Sequence, residues 1–152
     1  MKDNLLQTVF WLIVLVAGAA LEEMLPKFLG VGFPVLLASV PFLAVHRGKS
    51  AALAFAAAAG ATEEALSGLP PMAGVSFFLA LAVLSRRSGF SGTLATLAYP
   101  VYQVWLSVWL AGIGGGVFGR ILLAFPVGFL TMLAAGAAVN WLCRKAAVDE
   151  QG

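Results

Sequence analysis

Six apolar stretches follow one another along the chain, each closed by a short polar or charged segment. The first runs from Leu5 to Leu21 and stops at Glu22-Glu23; the second runs from Phe28 to Val45 and stops at His46-Arg47-Gly48-Lys49. The third, from Ser50 to about Leu66, is mostly alanine and ends with Glu63-Glu64 before Ser67-Gly68-Leu69-Pro70-Pro71. The fourth extends from about Met72 to Leu84 and closes at Arg86-Arg87, and the fifth, Thr93 to Ile113, precedes Gly114-Gly115-Gly116. The sixth, Ile121 to Cys143, ends at Arg144-Lys145. Apolar runs of this length predict membrane-crossing helices. The expected fold is therefore an all-α integral membrane protein, a single transmembrane domain over 1–152. Its six transmembrane helices, at about 5–22, 28–46, 50–66, 70–85, 93–113 and 120–143, pair as three hairpins.

Composition agrees. Six spans of about 20 residues take roughly 120 positions, which leaves almost nothing of the 152 for a soluble domain. With 61% hydrophobic and 11% charged residues the chain lies outside the range of ordinary cytosolic enzymes. Its mean hydropathy of +0.97 also excludes a disordered chain. The net charge of +2 does not imply a nucleic-acid partner, because the basic residues punctuate loops and form no continuous face.

Those basic residues report topology instead. From a cytoplasmic N-terminus, alternating loops put Lys2, Arg47, Lys49, Arg86, Arg87, Arg144 and Lys145 inside and only Lys27 and Arg120 outside. Cytoplasmic loops collect Lys and Arg, and this asymmetry supports the number of spans, the alanine-rich third included. Ala17-Gly18-Ala19 resembles a signal-cleavage site. A retained first helix is expected all the same, because the run exceeds the usual signal core and has further spans to pack against.

Candidate chemistry is sparse. Cys143 is alone, which excludes an intrachain disulfide and a CxxC metal site, and one His with one Cys cannot form a zinc set. No GxSxG, HExxH, Walker loop or Asp-rich phosphate motif occurs. His46 beside Arg47 and Lys49 reads as topological. No charged residue falls clearly at mid-membrane, which argues against an ion-driven pump.

Glu22, Glu23, Glu63 and Glu64 are the exception, since all four are expected near the outward C-termini of helices, where the helix dipole disfavours carboxylates. Something should compensate. They are read as solvated at the interface near Lys27 and Arg120, with a docking surface or a divalent-cation site of hard oxygen ligands as alternatives. Ala20-Leu21-Glu22-Glu23 and Ala61-Thr62-Glu63-Glu64 lie 41 residues apart, so the first two hairpins look like a repeat or like any tight hairpin obeying the charge rule.

On the fifth helix Tyr99, Gln103 and Ser107 share a face. Gln103, near mid-span, needs a hydrogen-bond partner: a neighbouring helix, or else a ligand held in a cavity. Trp105, Trp109 and Trp141 suit the interfacial aromatic belt. Ala52, Ala56 and Gly60 form a small-residue stripe expected to be buried in the bundle. Gly112, Gly115, Gly116 and Gly119 are read as turn residues. Pro34, Pro41, Pro100 and Pro126 are expected inside spans, bending them.

From Gly60 to Gly74 the chain reads Gly-Ala-Thr-Glu-Glu-Ala-Leu-Ser-Gly-Leu-Pro-Pro-Met-Ala-Gly, followed by an apolar helix ending in Arg86-Arg87. This resembles the rod-shape-determining MreD family, whose members carry a helix ending in an acidic residue, a Leu-Ser-Gly-x-Pro-x-Gly-like turn, and a second helix with a basic stop. The family's acidic position is typically Asp, where Glu64 stands here, and Pro70-Pro71 spaces the turn differently.

The resemblance implies a non-enzymatic scaffold without cofactors in the bacterial inner membrane. Its partners would be an MreC-like bitopic protein, a RodA-type glycosyltransferase, a penicillin-binding transpeptidase and an MreB-like filament, in an arrangement resembling the S-component fold of energy-coupling-factor transporters. Glu63, Glu64, Leu66, Ser67, Gly68, Pro70 and Gly74 are then the candidate partner-binding turn. The alternative is a substrate-binding subunit of a small-molecule transporter, with Tyr99, Gln103 and proline-bent helices enclosing a vitamin-type ligand.

Overall fold

The computed structural model describes residues 2–29, 34–46, 48–89, 92–110 and 115–149. Among them the fold is all-α, with six helices and no strand: α1 (Lys2–Leu29), α2 (Val35–His46), α3 (Lys49–Ser67), α4 (Ala73–Ser88), α5 (Gly92–Leu110) and α6 (Gly115–Asp149). The boundaries correct the sequence reading in several places: α4 begins at Ala73 and not near 70, and α6 runs on to Asp149, past the expected end at 143. α1 continues almost two turns beyond Glu22-Glu23. Residues 28 and 29 consequently belong to α1, not to the second apolar helix. Gly115, Gly116 and Gly119 lie within α6 and not in a turn, while Gly112 and Gly114 fall outside the described residues.

α2 is the axis of the fold and packs against all five other helices. This explains its composition: a helix surrounded by protein has no side to leave polar, and VLLASVPFLAVH has almost nothing polar in it. Leu36, Leu37, Val40 and Leu43 are fully buried and meet Phe55 of α3, Phe78 of α4 and Tyr102 of α5 in a single core. Pro41, Pro100 and Pro126 lie inside α2, α5 and α6 as expected. Pro34 does not. It precedes α2, and its carbonyl accepts the Ala38 N–H at 2.9 Å, the first bond of the new helix.

α3 and α4 form the tightest hairpin. Alanine favours the helix, and the Ala52, Ala56 and Gly60 stripe is buried as expected. A Cβ added at Gly60 would lie 2.6 Å from the Val75 Cα, and one added at Gly74 would lie 2.8 Å from the Gly60 carbonyl oxygen. Only two glycines allow the backbones to come this close.

The hairpin also fixes where charge lies. Glu63 and Glu64 end α3 while Arg86 and Arg87 end the antiparallel α4 near Lys49, so acid and base occupy opposite ends of this hairpin. Outward faces of α1, α5 and α6 are apolar, with Val16, Val108, Leu123 and Leu130 well exposed. Among the described residues one helical segment, Ile121–Ala138, is long and apolar enough by itself to cross a membrane. The side chains of Lys2, His46, Arg120, Trp141, Cys143, Arg144 and Lys145, and the whole of Arg47, lie outside the described residues.

Candidate functional site

The acidic pairs part company once their helices are placed. Glu23 is the one that behaves as a solvated interfacial residue: it is exposed and pairs with Lys27 one turn on, Oε1 to Nζ 2.9 Å. The hydrogen bond and charge of that ammonium hold its carboxyl below the usual carboxylate range.

Glu22 and Glu64 correct the expectation of solvation, because both turn inward. The Leu36 N–H donates to Glu22 Oε1 at 2.7 Å, and the Val75 N–H donates to Glu64 Oε1 at 2.8 Å. Leu36 and Val75 sit in the first turns of α2 and α4, where amide groups have no carbonyl of their own helix to bond. Each carboxylate therefore fills the role of a helix cap from a different helix. Compensation for the unfavourable dipole at the end of α3 comes from the positive pole of the following helix.

Glu64 acts on both sides of the turn. Its backbone carbonyl accepts N–H groups from Gly68 and, at 3.1 Å, Leu69, closing α3, while its side chain opens α4. Gly68 has φ +64° and caps α3 in the left-handed region, where glycine carries no Cβ penalty. Pro70 accepts the Ala73 N–H at 3.2 Å, and Met72 has φ 71°, a conformation strained for a bulky residue. Of the remaining motif residues, Gly74 is buried against Gly60, Ser67 is exposed, and Leu66 is 44% exposed. Met72, beside them, is 62% exposed. The motif thus combines a rigid interior with an apolar tip.

Glu63 takes a third course. Its Oε1 receives the Ser67 hydroxyl at 3.1 Å and the Tyr102 hydroxyl at 3.4 Å. It faces a cavity of about 190 Å³ whose polar lining also includes Glu22, Tyr99, Tyr102 and Gln103, over an apolar floor of Leu37, Phe78 and Leu106. Glu22 Oε2 is buried in this region without a donor, and the Glu63 carboxyl lies within hydrogen-bonding reach of the Glu22 side chain. Two oxygens that both accept need a proton between them, or a cationic group, to be satisfied.

The fifth-helix face divides. Tyr99 and Gln103 line the cavity, the Gln103 amide lying beside Tyr99 one turn away on the same helix. Ser107 turns its hydroxyl to the Gln103 carbonyl at 2.7 Å and has no place in the lining. Tyr102, only 2% exposed, was not singled out by the i, i+4 pattern. It stands three residues after Tyr99, the other helical spacing that shares a face, and that spacing was its signal. Trp105 corrects the aromatic-belt expectation: its Nε1–H donates to the Ala73 carbonyl at 2.8 Å, tying α5 to the start of α4. Trp109 packs edge-on against it and is half exposed.

Among the described residues no group of three or more His, Cys, Asp and Glu side chains is arranged to hold a metal ion. Compared with family models, characterised proteins and solved structures, the chain matches none.

Proposed function

We propose that the chain is a non-enzymatic, multi-pass scaffold of the bacterial inner membrane, of the MreD type, in a cell-wall elongation assembly. Its six helices cross the bilayer as three hairpins in an S-component-like arrangement, with both termini cytoplasmic. It gathers an MreC-like bitopic protein, a RodA-type glycosyltransferase, a penicillin-binding transpeptidase and an MreB-like filament. Support for the membrane setting comes from the apolar outward faces of α1, α5 and α6 and from the separation of acidic and basic ends, which matches the distribution of charge across a bilayer.

The observation that carries the scaffold reading is the α3–α4 turn. Glu64, Gly68 and Gly74, all within the stretch that resembles the MreD family, are consumed in making the turn rigid. Leu66 and Met72 then remain as exposed apolar side chains on a fixed tip, which is what a docking partner covers. The test is co-purification from native membranes. Met72→Asn keeps a residue that tolerates positive φ but removes the apolar surface, and with Leu66→Asn it should abolish recovery of a bitopic partner while insertion stays normal. Undiminished recovery would overturn the docking role of this tip.

A second reading, the substrate-binding subunit of a small-molecule transporter, draws on the cavity lined by Glu22, Glu63, Tyr99 and Gln103. At about 190 Å³ it is smaller than the roughly 300–1,000 Å³ of sites that enclose drug-sized ligands. A vitamin is therefore a poor fit, and a small amine is the largest ligand its size and acidity favour. Mass spectrometry of the purified protein decides: a stoichiometric small molecule lost in Gln103→Leu would replace the scaffold reading with this one.

A further inference from the structure

The opposite end of the α3–α4 hairpin carries a second concavity, of about 390 Å³. Lys49 at the start of α3 and Arg86 and Arg87 in the last turn of α4 rim it, and among the described residues no carboxylate lines it. Its floor is the buried pair Ala52 and Ala82, and its walls are Leu53 and the exposed Val83.

Two features of this rim call for an anion. Lys49 stands at the positive end of the α3 dipole, the wrong end for a cation, while two more cations face it across the concavity. Residue 48, at the cap of α3, is a glycine and provides no side-chain acceptor, so first-turn amides remain as donors at the same place. Arg86 is already positioned, its Nη1 donating to the Ala44 carbonyl at the end of α2 at 3.3 Å. The apolar floor and walls lie about one turn further into α3 and α4 than the cations of the rim. A cationic rim above an apolar trough is complementary to a molecule that is itself anionic at one end and hydrocarbon beyond it.

We infer that this trough is a binding site for an anionic phospholipid, its phosphate held between Lys49 and Arg87 and its acyl chain laid over Leu53 and Val83. The inference rests on the membrane reading above, and it places a lipid where basic pockets between helices meet the cytoplasmic leaflet.

The full chain, purified in detergent and stripped of lipid, is offered phosphatidylglycerol and phosphatidylcholine separately and examined by native mass spectrometry. Phosphatidylglycerol should be retained and phosphatidylcholine lost. Each basic residue near an anionic headgroup contributes roughly fivefold, so Lys49→Gln with Arg87→Gln should weaken phosphatidylglycerol retention about twenty-five-fold. Val83→Glu, which leaves all three cations in place and adds an acid to the wall, should weaken it as well. Equal retention of the two lipids, or phosphatidylglycerol binding unchanged in both variants, overturns the proposal. Displacement of the lipid by millimolar inorganic phosphate would show a soluble anion to be the occupant and also overturns it. Alkaline extraction of native membranes separates the two failures: a chain released from the membrane fails both readings, whereas a retained chain that binds the two lipids equally fails only this one.

Discussion

Glu22 and Glu64 perform the same act in successive hairpins, each leaving its own helix to accept a backbone N–H in the first turn of the next, from Leu36 at 2.7 Å and Val75 at 2.8 Å. The sequence echo pairs Glu22 with Glu63, 41 positions on; the shared role pairs it with Glu64. The two hairpins therefore repeat a device in slightly different register.

Glu64→Ala should lower stability by about 1 kcal/mol for the lost cap, with more if the turn loosens. Glu64→Gln, which keeps an oxygen acceptor, should recover most of it. Thermal unfolding in detergent followed by circular dichroism checks both. Equal losses in the two variants would mean that the carboxylate's charge, not its bond to Val75, holds the hairpin.

Glu22→Gln should behave differently. Its amide oxygen can still accept from Leu36, and its NH₂ supplies the donor that Oε2 lacks beside Glu63. The variant should match or exceed the parent in thermal midpoint at neutral pH, while Glu22→Ala falls below it. A Gln variant as unstable as the Ala variant would contradict the placement of Oε2.

Gly60→Ala and Gly74→Ala should each cost about 1–3 kcal/mol, because a new methyl group would press on backbone that cannot rotate away. The costs should not add in the double variant, since the first separation of α3 from α4 makes room for the second methyl. Additive losses would place the two glycines at independent contacts.

At Gly68 the surroundings are open and the demand is purely conformational. Gly68→Asn should be nearly neutral, whereas Gly68→Val should cost about 1–3 kcal/mol for holding a β-branched residue at positive φ. Comparable midpoints for Asn and Val would show that the turn rearranges.

Trp105→Phe should remove about 1 kcal/mol by leaving the Ala73 carbonyl without its indole donor. Tryptophan fluorescence offers a second readout, because Trp109 loses its edge-on neighbour. An unchanged midpoint together with an unchanged Trp109 signal would remove this bond from the structure.

Helix number and the buried small-residue stripe were legible in the sequence because both follow from local pattern: apolar run length, and alanine and glycine at a spacing that shares a face. The unfavourable helix dipole at Glu22, Glu23, Glu63 and Glu64 also marked these residues as needing compensation. What supplied it was not legible. Whether Glu22 meets solvent or an amide depends on α1 running on to Leu29 and on α2 beginning only after Pro34, and neither boundary is marked by a change in polarity. Tyr102 is a related case: its spacing from Tyr99 places it on the cavity face, but its partner Glu63 lies on another helix, and no spacing within α5 encodes that contact.

The shortness of α2 bears on how the molecule is built. Val35–His46 is twelve residues, or roughly 18 Å of helix, against a hydrocarbon layer of about 30 Å. If the chain spans a bilayer as proposed above, such a segment on its own would leave its ends without support. It is held by neighbours made both before and after it, among them Glu22 on one side and Phe55 and Phe78 on the other. In the membrane setting proposed above, the first hairpin is therefore complete only once α3 and α4 enclose it.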